Sequence, residues 1–300
     1  MAEPAPEAAR LYAPFEAPYR MTMGLSGFAP ADWLEIDGGF AAEVALKRRL
    51  LAERRDQVLR RLPGSEAAEA ELLTLLAPHL ARHHSRHFAL TDDTIRILPL
   101  RESLPLGADA RPPLERAALL VQEDLCLLQR DAQAWRLTAA AVCFPTRWDL
   151  PSKMGLPLEA IHAPVPGFAD RLASATQRFF DHLSSDRPVQ RLNWSLLDSE
   201  ELFLPSGHGR TEADPAITAE NAGDKVFLRV ERQTLSRLRQ SGAVLFTIRV
   251  HRWPLRRLRA FPEAAARLKA TLETLPPELQ RYKSLPVLGA AVLGYLARIG

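Results

Sequence analysis

Three stretches in the second half of the chain alternate apolar and polar residues with the period of an extended strand: 190–197 (QRLNWSLL), 225–233 (KVFLRVERQ) and 243–252 (AVLFTIRVHR). Leu192, Trp194 and Leu196 fall on one face, as do Val226, Leu228 and Val230, and Val244, Phe246, Ile248 and Val250. The other face takes Arg191, Asn193, Ser195, Arg229, Glu231, Thr247, Arg249 and His251. Two earlier apolar runs, 120–129 and 135–144, enclose a polar stretch from Arg130 to Ala134 and predict a β-hairpin with a slightly long loop. Helical spacing governs 40–62, which Pro63 and Gly64 stop, and a second helix from Ser65, its N-cap, to Arg82. A short helical piece spans Leu158 to His162, and 168–183 is amphipathic, with Leu172, Ala175, Phe179 and Leu183 on one stripe. The last 45 or so residues are helical, interrupted at Pro276, Pro277 and Pro286. Residues 1–39 are rich in Pro and Gly and carry Tyr12, Phe15, Tyr19, Phe28 and Trp33, which suits an extended arm pinned by its rings.

Two strands, a helical middle and three more strands, with helices at both ends, predict an α+β protein. Its antiparallel sheet of about five strands has the element order of a PAS-like fold, in which the middle helices and the sheet enclose a ligand. Residues 40–300 read as a single domain behind the 1–39 arm. Many α+β folds share such counts, so order alone does not settle function.

Composition narrows the classes. With 47% hydrophobic and 25% charged residues in 300, the chain buries a real core. The formal charge is +3 with no block of one sign, which gives no nucleic-acid footprint. The N-terminus has neither a basic n-region nor an apolar h-region, and the best apolar stretch, 287–300, is shorter than a membrane span of about 20 residues. A cytoplasmic protein without membrane attachment is expected. Cys126 and Cys143 lie in apolar runs and read as reduced core residues; two thiols cannot hold a four-thiolate cluster. No G-x-G-x-x-G, P-loop, H-E-x-x-H, C-x-x-C or G-x-S-x-G occurs. Any redox chemistry here draws its electrons from elsewhere.

The histidines offer two candidate sites. His79, His83 and His87 share a helical face, with His84 beside them. That spacing suits a metal, or simply a polar helix C-terminus where the macrodipole favours histidine. His162 ends a short helix in LEAIHAPVPGF, with Ile161 before it and a stiff Pro-Val-Pro after. A haem axial ligand needs such a setting, because its imidazole must be neutral, fixed in direction and screened from water. A packed histidine bonded to a carbonyl fits the same residues. The polar sheet face likewise has two readings, a solvated surface or a buried network of Glu231 with Arg229 and Arg232, beside Asn193 and His251. Trp148 and Trp194 are core aromatics or cation contacts.

Several segments taken together carry a family resemblance. They are PYRMTMGL (18–25), WLEID (33–37), LVQEDLCLL (120–128), RLTAAAVCFPTRW (136–148), IHAPVPGF (161–168), RFFDHL (178–183), NWSL (193–196), LFLP (202–205), LRVERQTLSRL (228–238) and SGAVLFTIRVHRWPL (241–255). In order and without large gaps from about 14 to about 285, they resemble the haem-dependent oxidative N-demethylase α subunits. The resemblance implies a haem b-binding, PAS-like protein that oxidises dimethylamine to methylamine and formaldehyde with O₂. Electrons would come from NADPH through partner subunits carrying a flavin (FMN) and a 2Fe–2S cluster. A tetrahydrofolate-binding partner would take the formaldehyde. His162, in the family's IHxPVPG block, is implied as the proximal ligand to the haem iron. On the opposite side, the LRVERQ and NWSL blocks suggest Glu231 to orient the amine and Asn193 or Arg229 to donate hydrogen bonds. A haem-based gas or redox sensor and a haem-free scaffold subunit are the readings from other classes.

Overall fold

A computed structural model describes residues 11–299. Among the described residues, ten strands form two sheets. They are β1 (Ser26–Gly27), β2 (Leu59–Arg61), β3 (Phe88–Leu90), β4 (Thr94–Ile97), β5 (Glu102–Pro105), β6 (Asp124–Arg130), β7 (Trp135–Ala141), β8 (Val189–Leu197), β9 (Phe227–Arg237) and β10 (Val244–Pro254). The large sheet runs β1-β8-β9-β10-β6-β7-β2, every neighbouring pair antiparallel. Its five long strands are the five expected, and the helical segment lies between β7 and β8. The flanking strands β1 and β2 are two and three residues long, which blunts both edges against pairing with another chain.

The helix expected over 40–62 stops earlier. It runs Phe40–Glu53, a single turn follows at Arg55–Val58, and the chain then becomes β2, whose Leu59–Arg61 pairs with Ala139–Ala141. Docking onto the sheet edge overrides the local helical spacing there. A second sheet, β3-β4-β5, was not foreseen. Its strands have three or four residues, too few to show alternation, yet Phe88, Ile95, Ile97 and Leu104 are buried in the core beneath the N-terminal helices.

Register corrects the expected division of faces. Residues opposite one another in an antiparallel pair project to the same side. Asn193 lies opposite Glu231 and Glu231 opposite Val250, while Arg191 lies opposite Gln233 and Gln233 opposite Ile248. The apolar stripe of β10 thus shares a side with the polar stripe of β8 and β9. Thr247, Arg249 and His251 share the other side with Leu192, Trp194 and Val230. The reason is that neither side is left to water. Leu235, Val244 and Cys126 pack with Leu158, Phe180 and Leu183 of the helical segment. Trp194, Leu228, Val230 and Trp253 pack with Leu268, Leu272, Val292 and Leu296 of the C-terminal helices and with Tyr12 and Phe15. Once both faces are covered, polar positions no longer mark solvent. Among the described residues, no helix is long and apolar enough to cross a membrane.

Asp124 shows how the sheet's interior handles charge. It is fully buried, accepts from the backbone N–H groups of Cys143 (2.8 Å) and Phe144 (2.9 Å), and fixes the chain where β7 ends. Burial pushes its carboxyl up to about 6, and the charge of the equally buried Lys47 opposes that shift. Replacing Asp124→Ala orphans two buried amides, while Lys47 keeps the Ala118 and Glu123 carbonyls, so urea unfolding is expected to register a loss of about 2–4 kcal/mol. A loss below about 1 kcal/mol would mean that Asp124 does not organise this corner.

Candidate functional site

The Leu158–Ile161 helix is a single turn, and His162 is its C-cap residue. The His162 Nδ1 lies 2.7 Å from the Leu158 carbonyl oxygen, which can only accept, so Nδ1 carries the proton and Nε2 keeps its lone pair. The ring stacks on Phe168, centroids 4.4 Å apart and planes 13° apart. Gly167, at φ +74°, makes the left-handed turn that brings Phe168 back under the imidazole. Burial lowers the His162 pKa; the Leu158 carbonyl opposes this, while Arg191 and Lys153 add to it. The imidazole is therefore neutral at neutral pH. Lys153 is held in place by the Ile161 carbonyl, 3.1 Å away.

Glu231, on β9, is 8% exposed. It accepts from the Thr146 hydroxyl, from Gln233 Nε2 at 2.8 Å and from Asn193 Nδ2 at 3.4 Å. Arg229, two residues earlier, is 1% exposed, and all three of its nitrogens donate within the protein. Nε donates to Thr146 Oγ1 (2.9 Å), Nη1 to the Glu201 carbonyl (2.9 Å) and Nη2 to the Phe144 and Leu202 carbonyls (2.7 and 3.1 Å). Burial brings its pKa down to about 10. Because Arg229 donates to Thr146, the Thr146 hydroxyl is turned to give its own proton to Glu231. Arg229 thus acts on the site through Thr146.

His251 is not beside Glu231 and Asn193, contrary to the sequence expectation. It lies on the opposite side of the sheet, where Nε2 meets Glu35 Oε2 at 2.7 Å and the ring stacks on Trp253. Tyr12 donates to the same carboxylate. Of the other histidines, His79 packs against Trp33 and His83, each at 4.7 Å, and burial brings its pKa down to about 4. Among the described residues, no group of three or more His, Cys, Asp or Glu is placed to hold a metal ion. Both cysteines are buried, and burial pushes both thiols up.

The structure adds residues that the sequence reading did not single out. The C-terminal segment delivers Lys283, whose Nζ donates to the Trp194 carbonyl at 2.6 Å and sits 4.7 Å from the Trp194 ring centroid. Trp194 is thus both a core aromatic and a cation contact. Tyr282 precedes it, its hydroxyl pushed up to about 12 by burial and by Glu231. Arg191 faces Glu231 from β8, and its buried Nε has no hydrogen-bond partner among the described residues. Arg191, Asn193, Trp194 and Lys283 line an open cleft of about 1710 Å³, together with Tyr19 and Met23 of the arm. No local pattern marks Tyr282 or Lys283; tertiary packing alone brings them here.

Residues 24–293 match the family model described as haem-dependent oxidative N-demethylase, alpha subunit-like. The His162, Glu231 and Asn193 positions all fall inside that span.

The Arg229–Thr146–Glu231 relay has a direct test. Thr146→Val removes the hydroxyl that joins two buried charges and is expected to destabilise the protein by roughly 1–3 kcal/mol, whereas Thr146→Ser keeps the hydroxyl and most of the stability. Equal stability of the two variants in chemical denaturation would refute the relay.

Proposed function

We propose that this chain, which belongs to the haem-dependent oxidative N-demethylase α-subunit-like family, binds haem b through His162 and demethylates a small secondary amine of the dimethylamine type. The observation that carries this reading is the state of His162: neutral and fixed by a carbonyl on Nδ1, which leaves the lone pair of the ring on Nε2. Axial histidines are oriented in this way by the bond on their other nitrogen. The surroundings fit the group. Phe168 gives the ring an apolar face, and Lys153 and Arg191 supply positive charge for carboxylates. The strand order β8-β9-β10-β6-β7, with the His162 segment between β7 and β8, supports the reading of a PAS-like fold.

Bound haem supplies O₂ activation and oxidation of the N-methyl group. Dimethylamine, O₂, two electrons and two protons yield methylamine, formaldehyde and water. The chain's own residues hold and orient the amine. Glu231 provides the carboxylate that an ammonium needs, and Gln233, Asn193 and Thr146 keep it directed. Asn193, which also lines the cleft, is the hydrogen-bond donor on that side. Arg229 has a positioning role through Thr146. The sequence has no nucleotide fingerprint, and its two cysteines are buried, so NADPH, FMN and 2Fe–2S are assigned to reductase partners in the cytoplasm. A tetrahydrofolate-binding partner accepts the formaldehyde.

The test is formaldehyde release by the haem-loaded chain with dimethylamine, O₂ and a reductase that carries electrons from NADPH. Formaldehyde is expected to appear in step with amine consumed, and the chain alone is expected to leave NADPH untouched. Glu231→Gln should raise the amine KM by roughly 10–100-fold, the worth of a hydrogen bond to a charged group. Haem bound without amine turnover would favour the sensor reading, and an iron-replete protein without haem would favour the scaffold reading.

A further inference from the structure

Lys283 poses a question that the demethylase reading does not answer. Among the described residues, β1 pairs with β8 at Val189 and Gln190 alone, and no strand covers the outer edge of β8 from Arg191 onward. The Trp194 carbonyl on that edge is met by the Lys283 ammonium at 2.6 Å. Any donor could cap a strand carbonyl. Lysine also places a full charge over an indole face, 4.7 Å from its centroid, which is the way alkylammonium ligands are recognised. Phe15 meets the same indole edge-on at 5.4 Å, so the ring is braced. All this occurs on the wall of the open cleft, beside Arg191 and Asn193.

We infer that the Trp194 ring and carbonyl form an entry subsite for an alkylammonium ion, and that Lys283 fills it with its own ammonium until the incoming amine displaces it. The inference rests on the amine-demethylase reading and deepens it. The Trp194 side chain lies on the face of β8 opposite Asn193 and Glu231, so the subsite sits off the strand edge, and the Glu231 charge reaches it from β9. Other groups bear on the same spot. Arg191 on β8 opposes the Lys283 charge, Tyr282 is its neighbour, His208 approaches from the 205–210 loop, and Tyr19 of the arm faces Arg191 and Tyr282. Desolvation outweighs the favourable Glu231 charge and brings Lys283 down to about 8.

This gives the displacement a sign. The Lys283 pKa is lowered on folding, so its proton is lost as pH rises through about 8, whereas ordinary alkylammonium ions keep theirs to about 10.4. Raising the pH from 7 to 9 empties the subsite of its internal cation and leaves the ligand charged.

Isothermal titration of the haem-loaded full chain with dimethylammonium, and with tetramethylammonium, which has no proton to lose, tests the inference. The wild-type Kd for both is expected to fall about tenfold from pH 7 to pH 9 through loss of the competing proton. Lys283→Met should bind at pH 7 as tightly as wild type does at pH 9, with no pH dependence. Lys283→Arg, which stays charged, should bind weakly at both. Circular dichroism checks that each variant is folded. Dimethylammonium binding that is flat with pH in wild type, or weakened by Lys283→Met, overturns the inference and leaves the demethylase reading standing. No dimethylammonium binding by wild type or variants at pH 9 overturns both.

Discussion

Arg229 holds a guanidinium in the middle of a seven-stranded sheet at 1% exposure. Taking such a charge out of water costs several kcal/mol unless oxygen acceptors surround it. The chain provides them by bringing the 144–146 and 201–202 loops together at β9, where the Phe144, Glu201 and Leu202 carbonyls and the Thr146 hydroxyl converge on one side chain. The Thr146 hydroxyl then has one direction left to donate, toward Glu231. Three residues further along β9, on the other side, Arg232 plays a matching part. It donates to the Asp32 and Trp33 carbonyls and to Gln190, which fastens the arm over the sheet. A single strand with buried charge on both faces therefore sets the loops on one side, the arm on the other and the carboxylate between them.

That arrangement explains what the sequence revealed and what it hid. The three later strands were legible because each alternates, the first two because each is an apolar run bounded by polar residues, and their helical interruption because prolines flank it. The division of faces was not. Alternation reports solvent only when one face is wet, and here Val250 shares a side with Glu231 while His251 does not. The expected Glu231–His251 neighbourhood failed for that reason. Strands β2 to β5 escaped because three or four residues carry no period.

The candidate site divides in the same way. His162 stood out because a histidine between apolar and Pro-rich flanks is a local feature, and the family blocks around it are local too. Lys283 and Tyr282 belong to a C-terminal stretch whose pattern says only helix, and nothing nearby in sequence indicates that they meet Trp194 and Glu231. Positions that depend on long-range packing are read from the structure alone. The family match over residues 24–293 covers both kinds, which accords with a site assembled from the whole length of the chain.

The proposed haem ligand is His162, neutral and held at Nδ1 by the Leu158 carbonyl. The most direct measurement is the absorption spectrum of iron-replete wild-type and His162→Ala proteins, oxidised, reduced with dithionite and treated with CO, alongside far-ultraviolet circular dichroism. Wild type is expected to show a Soret band and a ferrous–CO spectrum. The variant is expected to lose most of its haem while keeping its secondary structure, because an axial bond sets cofactor affinity more than it sets folding. A variant that retains full haem content and an unchanged ferrous–CO spectrum would contradict the assignment and send the search to another histidine.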